Sequence, residues 1–322
     1  MNLVADIEIA RPPFRKIKWL PRDIEADRRP DGSVIIRSRV ALGAYETHIP
    51  VYLARHAREI PDQVWLAQRR GPERRWHKVT FAEAKRIVDS LTQGLLDLRL
   101  DHDRPLAILS GNSLEHAFVT LAGMQARIPV APFSPAYSLL SQDHEKLKAI
   151  FSFLRPGIVF VQDGVAFERA LQALDLKDTP IVCVDRPPTS LTSLSFSELA
   201  GTRPTSAVED SVAKITGDTV ARLMLTSGST GMPKVVINTQ RMMCANVMMG
   251  QQTTIRGPEE SAGVMLDWMP WSHVMAGNAV FNSVLAYGSE LYLDEGRPIP
   301  GMFERPFEIC ATSRQPFMPV LR

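Results

Sequence analysis

Apolar residues recur along the chain at two periods. Phe81, Ala84, Ile87, Val88, Leu91, Leu95 and Leu98 are spaced for one face of a helix. Thr80-Phe81-Ala82-Glu83 ahead of them is a capping box, in which the Thr hydroxyl accepts an early N–H and the Glu side chain reaches back. Val34, Ile36 and Val40 sit on alternate positions instead, which predicts a strand over 33–40. Pro30-Asp31-Gly32 is a turn signal, and residues 1–33 otherwise read as irregular. Helical spacing returns over 51–60, and 64–70 reads as a strand. From 104 onward the two periods alternate. Strands are expected over 104–110, 128–132, 157–162 and 180–185, with helices over 113–126, 139–154 and 165–174. The stretch 186–214 is richer in Pro, Ser and Thr and reads as a surface connection holding one short helix. Strands resume over 221–225, 235–238, 263–268 and 290–293, with helices over 241–251 and 274–286. Apolar strands alternating with amphipathic helices predict an α/β fold of layered, mostly parallel sheets flanked by helices.

Composition narrows the function classes. The 322 residues are 45% hydrophobic and 22% charged, as in an ordinary folded protein of about two domains. A net charge of +2 argues against a chain built to bind nucleic acid. The most tempting apolar stretch, 116–133, is broken by Gln125 and Arg127, so no membrane span is expected. Asp6 and Glu8 come early and no apolar run follows them, which does not describe a signal peptide. Cys183, Cys244 and Cys310 are scattered and odd in number, so they suggest neither a disulfide framework nor a metal cluster, and a reduced, cytoplasmic setting is expected.

The chemistry is concentrated in Thr226-Ser227-Gly228-Ser229-Thr230-Gly231-Met232-Pro233-Lys234, between two predicted strands. Glycines let the backbone approach a bulky anion. Thr226, Ser227, Ser229 and Thr230 add hydroxyl donors to the backbone N–H groups, and Lys234 adds a point charge. The set reads as a cradle for a polyphosphate. A Walker A loop is a poor description. Pro233 stands where the second Gly is required, and Val235 where a Ser or Thr would hold magnesium. A flexible Ser/Gly surface loop is the plain alternative. The methionines Met242, Met243, Met248 and Met249 read as core filler on a helix.

Residues 225–234 closely resemble the phosphate-binding signature of the adenylate-forming, AMP-binding enzymes: acyl-CoA synthetases, firefly luciferase and peptide-synthetase adenylation domains. Val235 replaces the usual Gly after the Lys, yet still continues a strand. Trp268-Met269-Pro270-Trp271-Ser272-His273-Val274-Met275-Ala276-Gly277-Asn278 looks like the next motif of that family, a P-x-x-H element opening a helix, about 40 residues further on. Within the superfamily the resemblance is closest to feruloyl-CoA synthases. It rests on 232–239, on Trp271-Ser272-His273 with Gly277-Asn278, and on 292–298 and 42–45. The resemblance covers roughly residues 30–305.

That resemblance implies a two-step ligase. A carboxylate attacks the α-phosphate of ATP to give an acyl-adenylate, and the thiol of coenzyme A then displaces AMP, with Mg2+ accompanying the nucleotide. It places Thr226, Ser227, Gly228, Ser229, Thr230, Gly231 and Lys234 on the phosphates. It makes Lys234 and His273 catalytic, and gives His273, Met275, Asn278 and Ala279 to the acyl pocket, with no metal-ligating residue. The implied partners are a small carboxylic acid of the hydroxycinnamate or ferulate kind, ATP and coenzyme A. A fatty acyl-CoA ligase and a non-catalytic remnant are the alternatives. Thr216-Gly217-Asp218 resembles the ribose-binding element of the family but precedes the phosphate segment, so it reads as a turn. The Tyr-Gly-x-Thr-Glu element, the ribose Asp, the hinge and the lid with its Lys are not found before Arg322. The expected organisation is therefore an irregular segment over 1–33, a truncated AMP-binding N-terminal domain over 34–309, a tail over 310–322 unlike the family, and no C-terminal lid. Such a chain is expected to be inactive alone, to expose an apolar face, and to owe its end to a frameshift or early stop.

Overall fold

The computed structural model describes residues 18–226, 234–254, 263–294, 301–302 and 317–318. Its two larger sheets are mostly parallel, as the alternation predicts. Across the first, the strands follow in the order Lys234–Thr239, Val220–Thr226, Val130–Pro132, Leu106–Leu109, Ile158–Asp163, Ile181–Asp185 and Leu194–Ser195. All neighbours are parallel except the edge pair Val220–Thr226 and Lys234–Thr239. The second sheet runs Phe317–Met318, Val264–Asp267, Glu290–Leu293, Val64–Arg70 and Arg75–Thr80, with only the last pair antiparallel. The strand Phe317–Met318 lies in the stretch expected to be tail.

Strand residues alternate between two cores, as a doubly covered sheet requires. Leu106, Ile108, Ile158 and Phe160 face the layer between the sheets, where they join Trp65, Leu66 and Leu291 of the second sheet. Ala107, Leu109, Val159 and Val161 face outward, under Leu147, Ile150, Phe151 and Phe167 of the flanking helices. The helix Leu114–Gln125 lies in the inner layer and is buried at every position, so it carries little amphipathic signal. Ser113 caps it by accepting from the His116 N–H at 3.0 Å. Helix Phe81–Asp97 shares that layer and begins with the expected capping box, Glu83 N to Thr80 Oγ1 at 3.2 Å and Thr80 N to Glu83 Oε2 at 2.8 Å.

Several elements depart from the pattern. Ile24–Arg28 and Val34–Ser38 form an antiparallel hairpin around the turn at Gly32, so the segment expected to be irregular contains a strand. The single helix expected over 139–154 is two, Pro135–Leu139 and Glu145–Leu154, with His144 at positive φ between them. Residues 186–214 hold two helices, Phe196–Ala200 and Ser206–Ala213, rather than one. Among the described residues no helix is long and apolar enough to cross a membrane.

Candidate functional site

The strands Val220–Thr226 and Lys234–Thr239 bracket the Ser/Gly/Thr segment. Thr226 and Lys234 are cross-strand partners, and Thr226 Oγ1 donates to the Lys234 carbonyl at 3.4 Å. Both side chains are exposed at the open end of this pair. Ser227, Gly228, Ser229, Thr230 and Gly231 lie outside the described residues. The lower end of the pair carries a β-bulge between Val220 and Arg222. A bulge inserts one residue and re-aims the side chains beside it. Here it leaves Ala221 and Arg222 both buried, although they are consecutive.

The second expected motif follows the strand Val264–Asp267. Asp267 is fully buried, and its carboxylate accepts from the Met269 N–H at 3.0 Å and from the Trp271 indole N–H at 3.4 Å. Asn112 clamps the same turn from the loop after Leu106–Leu109. Its Nδ2 donates to the Met269 carbonyl at 2.7 Å, and its Oδ1 accepts from the Trp271 N–H at 2.9 Å. The Trp271 ring packs edge-on against His116 and Phe281. Burial raises the Asp267 carboxyl to about 6, against the pull of its N–H donors. Burial likewise lowers the His116 imidazole to about 4, and the charge of Arg222 adds to that effect.

His273 ends this turn with its side chain exposed, while its carbonyl accepts from the Gly277 N–H at 2.8 Å. Its Nδ1 accepts from the Met275 N–H at 3.4 Å, which leaves the proton of the neutral ring on Nε2. The helix expected over 274–286 is split into a π-helical turn, Met275–Val280, and an α-helix, Phe281–Ala286. The three expected pocket residues on this segment differ in burial. Met275 is exposed, Ala279 half-buried, and Asn278 buried and turned toward the bracketing strands. Asn278 Nδ2 donates to Asn238 Oδ1 at 3.0 Å, and Asn278 Oδ1 accepts from Arg222 Nη1 at 3.3 Å. Arg222 Nη1 also donates to the Gly277 carbonyl, and the guanidinium lies 5.3 Å from the centre of the Phe281 ring. Gly277 has no room for a side chain, because an added Cβ would strike the Trp271 carbonyl oxygen and come 3.0 Å from Arg222 Nη1.

The fold thus joins the strand pair bearing Thr226 and Lys234 to the turn bearing His273 through Asn278. Asn112, Asp267 and Arg222 complete this junction and were not expected from sequence. A buried Arg or Asp looks like any surface charge in a sequence, so the bulge beside Arg222 and the clamp from Asn112 left no local signal. Thr216-Gly217-Asp218 forms a turn, with Thr219 N donating to the Thr216 carbonyl at 3.1 Å. Of the expected methionine filler only Met243 is fully buried, while Met242 and Met249 are exposed. Cys183 and Cys244 are buried and free, and burial pushes the Cys244 thiol up to about 12. Cys310 lies outside the described residues.

Residues 53–318 match a family described as AMP-binding enzyme. A 4-coumarate–CoA ligase of Humulus lupulus is 27% identical over 75% of this chain and 42% of its own length. A linear gramicidin synthase subunit of Brevibacillus parabrevis is 25% identical over 74% of this chain and 4% of its own. The chain spans less than half the length of these relatives. Among solved structures, a luciferase-like enzyme from the mealworm Zophobas morio superposes with a TM-score of 0.63 at 16% identity, over 82% of this chain and 57% of that one. The N-terminal subdomain of Klebsiella oxytoca NpsA, solved with 3-hydroxybenzoyl-AMSN, superposes with a TM-score of 0.58 at 17% identity, over 83% of this chain and 58% of that one.

Proposed function

The chain belongs to the AMP-binding enzymes, and on that premise we propose that it carries the phosphate and acyl sites of an ATP-dependent acid–CoA ligase. In the proposed reaction a carboxylate oxygen attacks the α-phosphorus of ATP and pyrophosphate leaves. The thiol of coenzyme A then attacks the acyl carbonyl of the adenylate and AMP leaves. Thr226, Ser227, Gly228, Ser229, Thr230, Gly231 and Lys234 hold the phosphates. Negative charge builds on the leaving pyrophosphate, which is where hydrogen-bond donors act most strongly. His273 donates from Nε2 to the substrate carboxylate, with Met275, Asn278 and Ala279 beside the acyl group. Mg2+ arrives with the nucleotide. The described residues gather no group of three or more His, Cys, Asp or Glu to hold a metal of their own.

The observation that supports this reading best is the junction itself. The strand pair bracketing the phosphate segment and the turn bearing His273 share one carboxamide, that of Asn278. The acid is proposed to be aryl, of the hydroxycinnamate or ferulate kind, and the hop relative named for 4-coumarate supports this. A Xenopus laevis relative named for long-chain fatty acids supports the alternative of a fatty acid. The 322 residues alone are proposed to bind ATP and the acid without completing turnover, because the adenine, ribose and lid elements implied by resemblance are not among them. Calorimetric titration with MgATP and then with ferulate, 4-coumarate or a long-chain fatty acid tests this. ATP binding that weakens at least about tenfold in Lys234→Ala, with binding of the aryl acids, is expected. A chain that binds neither ATP nor any of the acids overturns the reading.

A further inference from the structure

Arg222 carries a charge into the core at a place where packing does not need one. Its residue is 2% exposed, and among the described residues no carboxylate pairs with it. Its Nε is buried without a hydrogen-bond partner. Burial lowers the guanidinium to about 9, which still leaves it charged at neutral pH. A buried cation without an anion costs free energy, and an apolar side chain of similar size is often as stable or more so. The charge is instead met by dipoles: the carbonyl of Gly277, the Oδ1 of Asn278 and the face of Phe281.

The geometry around it is specific. Arg222 and Asn238 are cross-strand partners in the pair that ends at Thr226 and Lys234. Both side chains reach the same residue of the facing turn, because Asn278 accepts from Arg222 and donates to Asn238. One carboxamide therefore spans the two strands and fixes the π-helical turn Met275–Val280 to them. π-Helical turns inside helices recur at functional sites, and this one begins two residues after His273.

We infer that Arg222 is a positioning residue: with Asn238 it locks the turn carrying His273 and Asn278 onto the strand pair that presents Thr226 and Lys234. This role rests on the function proposed above. The strand pair has its own backbone hydrogen bonds, so loss of the lock frees the turn and leaves the strands in place. The acid side should suffer and the nucleotide side should not.

The test uses Arg222→Met and Arg222→Lys in the 322-residue chain. In Arg222→Met, hydrogen exchange at Met275–Val280 should quicken at least about tenfold relative to helix Phe81–Asp97, while the urea midpoint does not fall. Binding of ferulate should weaken about tenfold with MgATP binding unchanged. Arg222→Lys should return ferulate binding to within about threefold of the parent, because the donations to Gly277 and Asn278 both come from Nη1 and a point donor can replace it. Uniformly faster exchange with a lower urea midpoint would reduce Arg222 to a structural residue and overturn the inference. So would equal weakening of both ligands, or a lysine variant no better than methionine. A parent chain that binds neither ligand overturns the proposed function instead, and hydrogen exchange at Met275–Val280 then still decides whether Arg222 holds the turn.

Discussion

Two side chains on either side of Trp271 have had their acid–base behaviour changed in opposite directions by burial. The Asp267 carboxyl is raised from 3.8 to about 6. A raised value means the folded state favours the protonated form, so the contribution is fully present below 3.8 and is lost as pH rises through about 6. The His116 imidazole is lowered from 6.5 to about 4. Its contribution is present above 6.5 and is lost as pH falls through about 4. Between these limits the two oppose each other, and the parent protein hides both. Asp267→Asn exposes the first, since an amide can still accept from the Met269 N–H. From pH 4 to pH 7 the variant should gain about 3 kcal/mol on the parent, as each pKa unit is worth about 1.4 kcal/mol. Urea midpoints of the two proteins at both pH values check this, and parallel pH curves would contradict it.

At the scale of single elements, local chemistry decides where helices begin. Thr80 and Glu83 each satisfy a backbone N–H that the first turn of helix Phe81–Asp97 would leave unpaired. Thr80→Ala should therefore cost about 1 kcal/mol, read as a lower urea midpoint at unchanged slope. This cap was legible in the sequence because its partners lie within four residues. The strand Arg75–Thr80 was not. It is an edge strand with only Val79 buried, so it carries no apolar alternation to read. Ile24–Arg28 was hidden for the same reason, with three charged residues among its five. The π-helical turn at Met275–Val280 was read as α-helix, because hydrophobic spacing over six residues does not separate the two. Its neighbours come from elsewhere in the chain, with Trp271 and Arg222 close against the backbone of Gly277.

At the scale of the molecule, helices pack between the two sheets, and an ion pair ties the second sheet to one of them. Arg70, at the end of a strand of the second sheet, donates to both carboxylate oxygens of Glu115, at 2.6 and 2.7 Å. Glu115 opens helix Leu114–Gln125, and Gln162 of the first sheet donates to it at 3.5 Å. Only one partner is buried, with side-chain exposures of 39% for Arg70 and 9% for Glu115. The pair should therefore respond unequally. Arg70→Met strands a buried carboxylate and should cost about 1–3 kcal/mol, while Glu115→Gln leaves an arginine free to reach water and should cost less. Denaturant midpoints of the two variants measure the difference, and equal losses would show that the pair is not an anchor.

The sequence by itself determined the α/β alternation, the capping box of helix Phe81–Asp97 and the two segments that resemble motifs of this family. Each of these is written in residues close together, where spacing, capping hydroxyls and glycines act locally. Tertiary structure decided which strands became neighbours, how Asn112 came to clamp Met269 and Trp271, and how Asn278 came to join Arg222 and Asn238. Those contacts form because apolar faces distant in sequence are buried against each other, and the polar groups carried in with them must then find partners. Which partners they find depends on the packing, and no local pattern of residues records it.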